Sequence, residues 1–141
     1  MHLMSDLTID QQTKEGITIL DLHGRLEIGP SETELRESVR ALIGSGVTQV
    51  ILDFLDVREL DNDGMAALKL CDSLLRNAGG AMRLINLNKI HLPASLLTEL
   101  YASFEVFEDE QESINSFFPG RAIQRIDILR LVEGLKQEDS G

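Results

Sequence analysis

The sequence predicts a single α/β domain built on a mixed, mostly parallel β-sheet. Short apolar runs that suit strands alternate along the chain with apolar residues at helical spacing. Strands that alternate with helices favour right-handed crossovers and parallel neighbours. The first two strands lie close enough in sequence to form a hairpin, so one antiparallel strand is expected. A chain of 141 residues is long enough for one domain of ordinary size.

The first third of the chain supplies a hairpin, a helix and a third strand. The second strand is almost continuously apolar, which is typical of a strand covered on both faces. Pro30 is placed to open the first helix, and Gly44 to end it. The predicted elements are strands at residues 7–11 and 17–22 with a turn at 13–16, a loop at 25–29, a helix at Pro30–Gly44, and a strand at 47–55 with a loop through Val57.

An acidic turn, Leu60-Asp61-Asn62-Asp63-Gly64-Met65, precedes the long second helix, Asn62–Asn77. Asp61 suits the N-cap, because its carboxylate can accept hydrogen bonds from the unpaired amides of the first turn. Asp63 lies inside that turn, where the helix dipole favours negative charge. The helix carries a wide apolar face that suits packing against a sheet. This face comprises Met65, Leu68, Cys71 and Leu75, with Ala67, Leu70 and Leu74 beside them.

The second half of the chain continues the alternation and ends in a helical extension. We predict a strand at 82–87, a helix opening at Pro93, a short edge strand at 104–107 and a helix at 110–118. Residues 1–119 form the predicted domain, and residues 120–141 an extension whose last five residues are frayed. Two apolar rows in the extension favour packing back onto the domain, while a homodimer contact and a helix induced by a partner remain open. The rows are Ile123, Ile126, Leu129 and Val132, and Ile128, Leu131 and Leu135.

Charge and composition exclude several classes of function. The net charge of −11 argues against a nucleic-acid groove and against docking on anionic lipid. The chain shows no signal peptide and no apolar run long enough to enter a membrane, so the cytoplasm is expected. His2, His23 and His91 lack metal-ligand spacing, and the glycines lack nucleotide-binding spacing. We therefore expect no metal, no cofactor and no enzymatic activity.

From Leu20 to about Phe118, the order of motifs resembles the STAS domain family, named for sulphate transporters and anti-sigma factor antagonists. Residues 60–68 resemble the family's phosphorylation turn, which usually reads Asp-Ser-Ser-Gly or Asp-Ser-Ala-Gly before a helix of small residues. Three further motifs match in the same order. Gly24-Arg25-Leu26-Glu27 resembles the family's Gly-x-Leu-Asp loop, with Glu27 in place of Asp, and Val50-Ile51-Leu52-Asp53-Phe54 resembles its buried strand. The step from Gly79-Gly80 into the next strand resembles the glycine-to-strand step that follows in the family.

The resemblance implies a regulatory role with one departure. In anti-sigma factor antagonists, a partner kinase with an ATP-binding fold phosphorylates the second hydroxyl of the turn, and the unphosphorylated antagonist binds the anti-sigma factor. The phosphoacceptor-equivalent position in this chain is Asp63, and its neighbour is Asn62. Neither side chain accepts phosphate as Ser or Thr does. The phosphorylatable Ser is therefore expected to be lost.

The sequence is compatible with two interpretations of Asp63. Its carboxylate could simply stabilise the start of the helix, by about 0.3–1 kcal/mol. Alternatively, it is a fixed but partial imitation of the phosphorylated state, because one carboxylate carries only about half the charge of a phosphoryl group. Ser31 and Ser73 are the hydroxyls that could replace the lost phosphosite.

The resemblance implies a non-enzymatic module that binds an anti-sigma factor or a serine-kinase-fold protein. The alternative is a STAS accessory subunit of a membrane transport complex. Phosphotransfer at Asp53 is the third class, and it is disfavoured because no acid pair follows the first strand and no strand-end Lys accompanies it. The predicted partner-binding residues are Arg25, Glu27, Leu60, Asp61, Asn62, Asp63, Gly64 and Met65, with apolar contacts expected around Leu60 and Met65.

Overall fold

The structure, a computed structural model, describes residues 6–121. Within this range, strands and helices follow in the predicted order, with a single 3₁₀ turn at Leu87–Lys89 after the fourth strand. The elements are β1 (Leu7–Lys14), β2 (Ile17–Leu26), α1 (Pro30–Gly44), β3 (Gln49–Leu60), α2 (Asn62–Asn77), β4 (Ala81–Ile85), α3 (Ala94–Ser103), β5 (Glu105–Phe107) and α4 (Glu110–Asn115).

The strands form one five-stranded sheet in the order β1-β2-β3-β4-β5. Strand β1 is antiparallel to β2, whereas the other neighbouring pairs are parallel. This arrangement confirms the predicted α/β class and the mixed, mostly parallel sheet.

Two apolar clusters cover the two faces of the sheet. The larger cluster contains Leu20 and Leu22 of β2 together with core residues of α1, α2 and α3, such as Leu68 and Leu100. The smaller cluster packs Ile114 of α4 against the other face. Residues 17–20 are buried, so the interpretation of β2 as a strand covered on both faces is confirmed.

Strands β2 and β3 are both longer than the sequence predicts. The predicted loop at 25–29 is wrong in its first two residues, because β2 continues through Leu26. The predicted end of the third strand at residue 55 is also wrong, since β3 runs to Leu60. The parallel pairing of Leu26 with Leu60 holds both ends in the sheet. Register shifts between residues 21 and 25 accompany this extension, and the apolar pattern of the sequence does not reveal it.

The smaller corrections concern element ends. Strand β1 pairs through Lys14, so the hairpin turn is only Glu15 and Gly16, and not residues 13–16. Strand β4 ends at Ile85, and α4 ends at Asn115. The predicted C-terminal extension, apart from Gly120 and Arg121, lies outside the described residues. Its packing and its suggested homodimer contact therefore stay predictions.

Candidate functional site

The candidate site lies where β2 and β3 end side by side. Because the two strands are parallel and Leu26 pairs with Leu60, the segments that follow them leave the sheet at the same edge. One segment is the loop 27–29, which leads into α1, and the other is Asp61, which caps α2. The structure thus brings together the two stretches that the sequence placed in the partner-binding surface.

Asp61 connects these two segments. One carboxylate oxygen, Oδ1, accepts a hydrogen bond from the backbone N–H of Gly64 at 2.7 Å. The other, Oδ2, accepts one from the backbone N–H of Ile28 at 3.0 Å. The backbone N–H of Asp61 in turn donates to the carbonyl of Leu26 at 3.3 Å. The predicted N-cap is therefore confirmed, and the same residue also holds the neighbouring loop.

Gly64 allows the start of α2 to lie directly against the end of β2. A Cβ atom added at Gly64 would lie 2.2 Å from the carbonyl oxygen of Leu26 and 2.8 Å from Cδ1 of Leu60. Both distances are far below van der Waals contact. A side chain at this position would push the helix away from the end of β2, so Gly64 has a structural role in shaping the site.

Ser31 fixes the other end of the loop. Its hydroxyl accepts a hydrogen bond from the backbone N–H of Glu27 at 2.9 Å and donates one to the Glu27 carbonyl at 2.8 Å. Ser31 is also buried, so it does not suit the role of an accessible phosphosite. Ser73, the other hydroxyl considered, is exposed on α2.

The exposure of the turn differs from residue to residue. Asn62 and Asp63 are exposed in the first turn of α2. Among the described residues, the Asp63 side chain forms no hydrogen bond or ion pair. By contrast, Leu60 is only 6% exposed and Met65 only 3% exposed. The expectation that Leu60 and Met65 offer apolar contacts to a partner is therefore wrong, because both side chains belong to the core.

Charged side chains surround the ends of the two strands. The guanidinium of Arg25 lies 3.8 Å from the carboxylate of Glu59 in an exposed ion pair. A hydrogen bond with Glu59 is the main cause that raises the pKa of the Glu27 carboxyl, with smaller contributions from burial and the nearby charges of Glu59 and Asp61. Carboxylates thus outnumber cations at this edge of the sheet.

Sequence reasoning missed two residues of this surface. Ile28, in the loop, is 68% exposed, and Glu59 lies between Arg25 and Glu27 at the end of β3. The one available signal for Ile28 was an apolar residue in a loop, outside any periodic pattern. No local signal placed Glu59 there, because its position depends on the pairing of β2 with β3.

Asp53, the residue considered for phosphotransfer, lies within β3. Its Oδ1 accepts hydrogen bonds from the Leu55 N–H and from the Asn86 side chain, both at 2.9 Å.

His23 lies between two aspartates, with Nε2 3.0 Å from Asp10 and Nδ1 2.8 Å from Asp56. Within residues 6–121, no group of His, Cys, Asp and Glu side chains is arranged to hold a metal ion.

A protein-family model matches most of the chain. The model of the STAS domain family matches residues 8–113. No curated protein matches the sequence. In the part of the chain that the structure describes, no helix combines the length and the apolarity needed to cross a membrane.

Several solved structures share the fold at low sequence identity. SpoIIAA, an anti-sigma factor antagonist in its unphosphorylated form, is 16% identical, with a TM-score of 0.61 over 82% of this chain and 99% of SpoIIAA. An anti-sigma factor antagonist from Mycobacterium paratuberculosis is 16% identical, with a TM-score of 0.63 over 79% of this chain and 93% of its own. The murine anion transporter Slc26a9 is 21% identical, with a TM-score of 0.56, and the match covers 73% of this chain but 18% of the transporter.

Proposed function

The chain belongs to the STAS domain family, and from that premise we propose that it is a non-enzymatic regulatory module that binds an anti-sigma factor or a serine-kinase-fold protein. The docking surface consists of the loop after β2 and the first turn of α2. Asn62 and Asp63 contribute hydrogen bonds and register to the complex. The partner meets a permanent carboxylate at residue 63, so no phosphate is added or removed there.

One observation carries this proposal: Asp63 is exposed, and it stands in the first turn of the helix whose start forms the docking surface. The helix dipole tolerates its charge, and no neighbour among the described residues neutralises it. An exposed carboxylate with no partner among residues 6–121 is available to a partner in another protein. The resemblance of the whole domain to anti-sigma factor antagonists supports the class of partner.

The burial of Leu60 and Met65 limits which groups of the turn a partner can contact. Since these two side chains face the core, the partner contacts the backbone and the polar side chains of the turn. Asp61 already accepts hydrogen bonds at both of its carboxylate oxygens. Asp61 therefore shapes the surface and leaves the polar contacts to Asn62 and Asp63.

The test is to purify the full-length chain from its own cells and identify bound proteins by mass spectrometry. The affinity of the identified partner is then measured for the wild type, for Asp63→Lys and for Glu108→Lys. We expect Asp63→Lys to lose about tenfold or more in affinity, because like charge replaces complementary charge at a contact. Glu108→Lys makes the same change of charge at an exposed residue next to the far edge strand, β5, and should bind like the wild type.

Two results would contradict the proposal. One is that no protein of the anti-sigma or serine-kinase-fold class is bound. The other is that Asp63→Lys and Glu108→Lys bind the partner equally well.

A second candidate function is that of an accessory subunit in a membrane transport complex. The specific observation in its favour is the match to part of the murine anion transporter Slc26a9. In that case the same purification should recover a transporter subunit in place of a kinase-fold protein.

A further inference from the structure

Ile28 is the most exposed of the large apolar side chains that the structure describes. It is 68% exposed, compared with 51% for Tyr101 and 47% for Leu55. A single exposed apolar residue is normal on a protein surface. Ile28 is unusual because it lies in the loop 27–29 of the proposed surface, here called the docking loop, and its backbone N–H donates to Asp61.

The backbone that carries Ile28 is held at three points. The N–H of Ile28 donates to the carboxylate of Asp61. The Ser31 hydroxyl forms hydrogen bonds with the N–H and the carbonyl of Glu27. The Thr33 N–H donates to the Gly29 carbonyl at 3.2 Å. Pro30 at the start of α1 restricts the chain further. A side chain on so fixed a loop loses little conformational freedom when a partner covers it, which favours its use as an anchor.

The charges around Ile28 indicate what kind of surface covers it. Four carboxylates lie at this edge, those of Glu27, Glu59, Asp61 and Asp63, whereas Arg25 is already paired with Glu59. A second copy of this chain would bring like charges together, and an anionic lipid surface would be repelled. A protein surface that carries Arg and Lys around an apolar pocket has complementary charge and shape.

We propose that Ile28 is the apolar anchor of the docking surface, and that the partner receives it in an apolar pocket rimmed by Arg and Lys. This inference rests on the proposed function, because it describes the partner of the same site. Ile28 supplies the apolar contact that the buried Leu60 and Met65 cannot supply. The surrounding carboxylates set the orientation of the complex and increase the rate of encounter.

The test measures the affinity of the identified partner by calorimetry at low and high salt. Ile28→Ala should lose about tenfold or more at both salt concentrations, since the lost contact is apolar. Leu55→Ala is the matched control, because Leu55 is also an exposed apolar residue but lies outside the docking loop; its affinity should stay within about twofold of the wild type. The double variant Glu27→Gln, Glu59→Gln should weaken binding at low salt and have less effect at high salt.

Binding of Ile28→Ala within about twofold of the wild type would overturn the anchor, as would stronger binding of the double variant. Light scattering that shows a wild-type dimer and an Ile28→Ala monomer would overturn the anchor as well, because it would assign Ile28 to a contact with a second copy of the chain.

The failure of the anchor can be distinguished from the failure of the proposed function. If Asp63→Lys loses affinity and Ile28→Ala does not, only the anchor is wrong. If no partner is captured, or if Asp63→Lys binds normally, the proposed function itself is wrong.

Discussion

The carboxylate of Asp61 accepts a hydrogen bond from the backbone N–H of Ile28 at 3.0 Å, across a sequence separation of 33 residues. The same carboxylate caps α2 through the Gly64 N–H. A single side chain therefore sets both the start of the helix and the position of the loop. The proposed docking surface depends on this link, since it fixes Ile28 relative to Asp63.

The first prediction is that Asp61→Ala destabilises the protein by about 2 kcal/mol, because it removes a helix cap and a second hydrogen bond to the loop. Urea unfolding followed by circular dichroism measures the change. Asp109→Ala is the matched control, since Asp109 caps α4 through one bond, to the Glu112 N–H at 2.8 Å. Equal losses in the two variants would mean that the bond to Ile28 contributes nothing to stability.

The second prediction concerns the close approach at Gly64. Gly64→Ala should cost about 1–3 kcal/mol or more, because the new methyl group overlaps the Leu26 carbonyl. Gly44→Ala is the control, since a Cβ at Gly44 in α1 meets no atom within 4 Å. That variant should be neutral or more stable by up to about 1 kcal/mol, because alanine favours the helix. Unfolding of both variants in urea tests the pair, and a neutral Gly64→Ala would contradict the geometry.

Local sequence signals were sufficient to predict the helices of the site. The bounds of α1 and α2 agree with the prediction, because Pro30 and the N-cap Asp61 mark starts that depend only on neighbouring residues. The alternation of strands and helices likewise predicted the class of the sheet and its antiparallel first strand. These features require no knowledge of distant contacts.

Long-range contacts account for what the sequence could not reveal. The extension of β2 and β3 follows from the pairing of Leu26 with Leu60, and polar residues such as Glu59 interrupt the apolar pattern there. The sequence placed Met65 both on the apolar face of α2 and among the partner contacts, and only the packing of α2 on the sheet decides for burial. The exposure of Ile28 depends on how Asp61 holds the loop. Each of these is decided by residues more than 30 positions apart or by the packing of whole elements.

The third prediction concerns pH. Partial burial, and then the Asp53 carboxylate on the paired strand, raise the pKa of Asp21. Since the folded protein binds this proton more tightly than the unfolded chain, the contribution of Asp21 to stability is present below its ordinary pKa and is lost as pH rises through the raised value. Asp21→Asn should therefore be more stable than the wild type at neutral pH. Thermal unfolding across the acidic range measures the difference, which should disappear at low pH. A difference that is independent of pH would contradict this account.

The fourth prediction concerns Cys71, the one cysteine in the sequence. Burial raises the pKa of its thiol to about 12, and the thiolate is the form that reacts. At neutral pH, the native protein should therefore resist a thiol reagent that releases a chromophore when it reacts. The protein should react fully in denaturant, and the absorbance of the released chromophore measures both reactions. The double variant Cys71→Ser, Ser73→Cys is the control, since residue 73 is exposed on the same helix; it should react at once. Rapid reaction of native Cys71 would contradict its burial.

The last prediction concerns the proposed loss of a phosphorylation switch at residue 63. Asp63→Ser places a hydroxyl in the exposed first turn of α2, where the backbone amides and the helix dipole favour a phosphate. If the identified partner is a serine-kinase-fold protein, incubation with it and ATP should modify this variant and leave the wild type unmodified at that residue, as mass spectrometry of the intact chain and its peptides would show. Asn62→Ser is the control, because it offers a hydroxyl one residue earlier in the same turn and should be modified far less. Equal modification of the two variants would mean that the kinase does not distinguish these positions, and an unmodified Asp63→Ser would separate residue 63 from the phosphoacceptor position of the family.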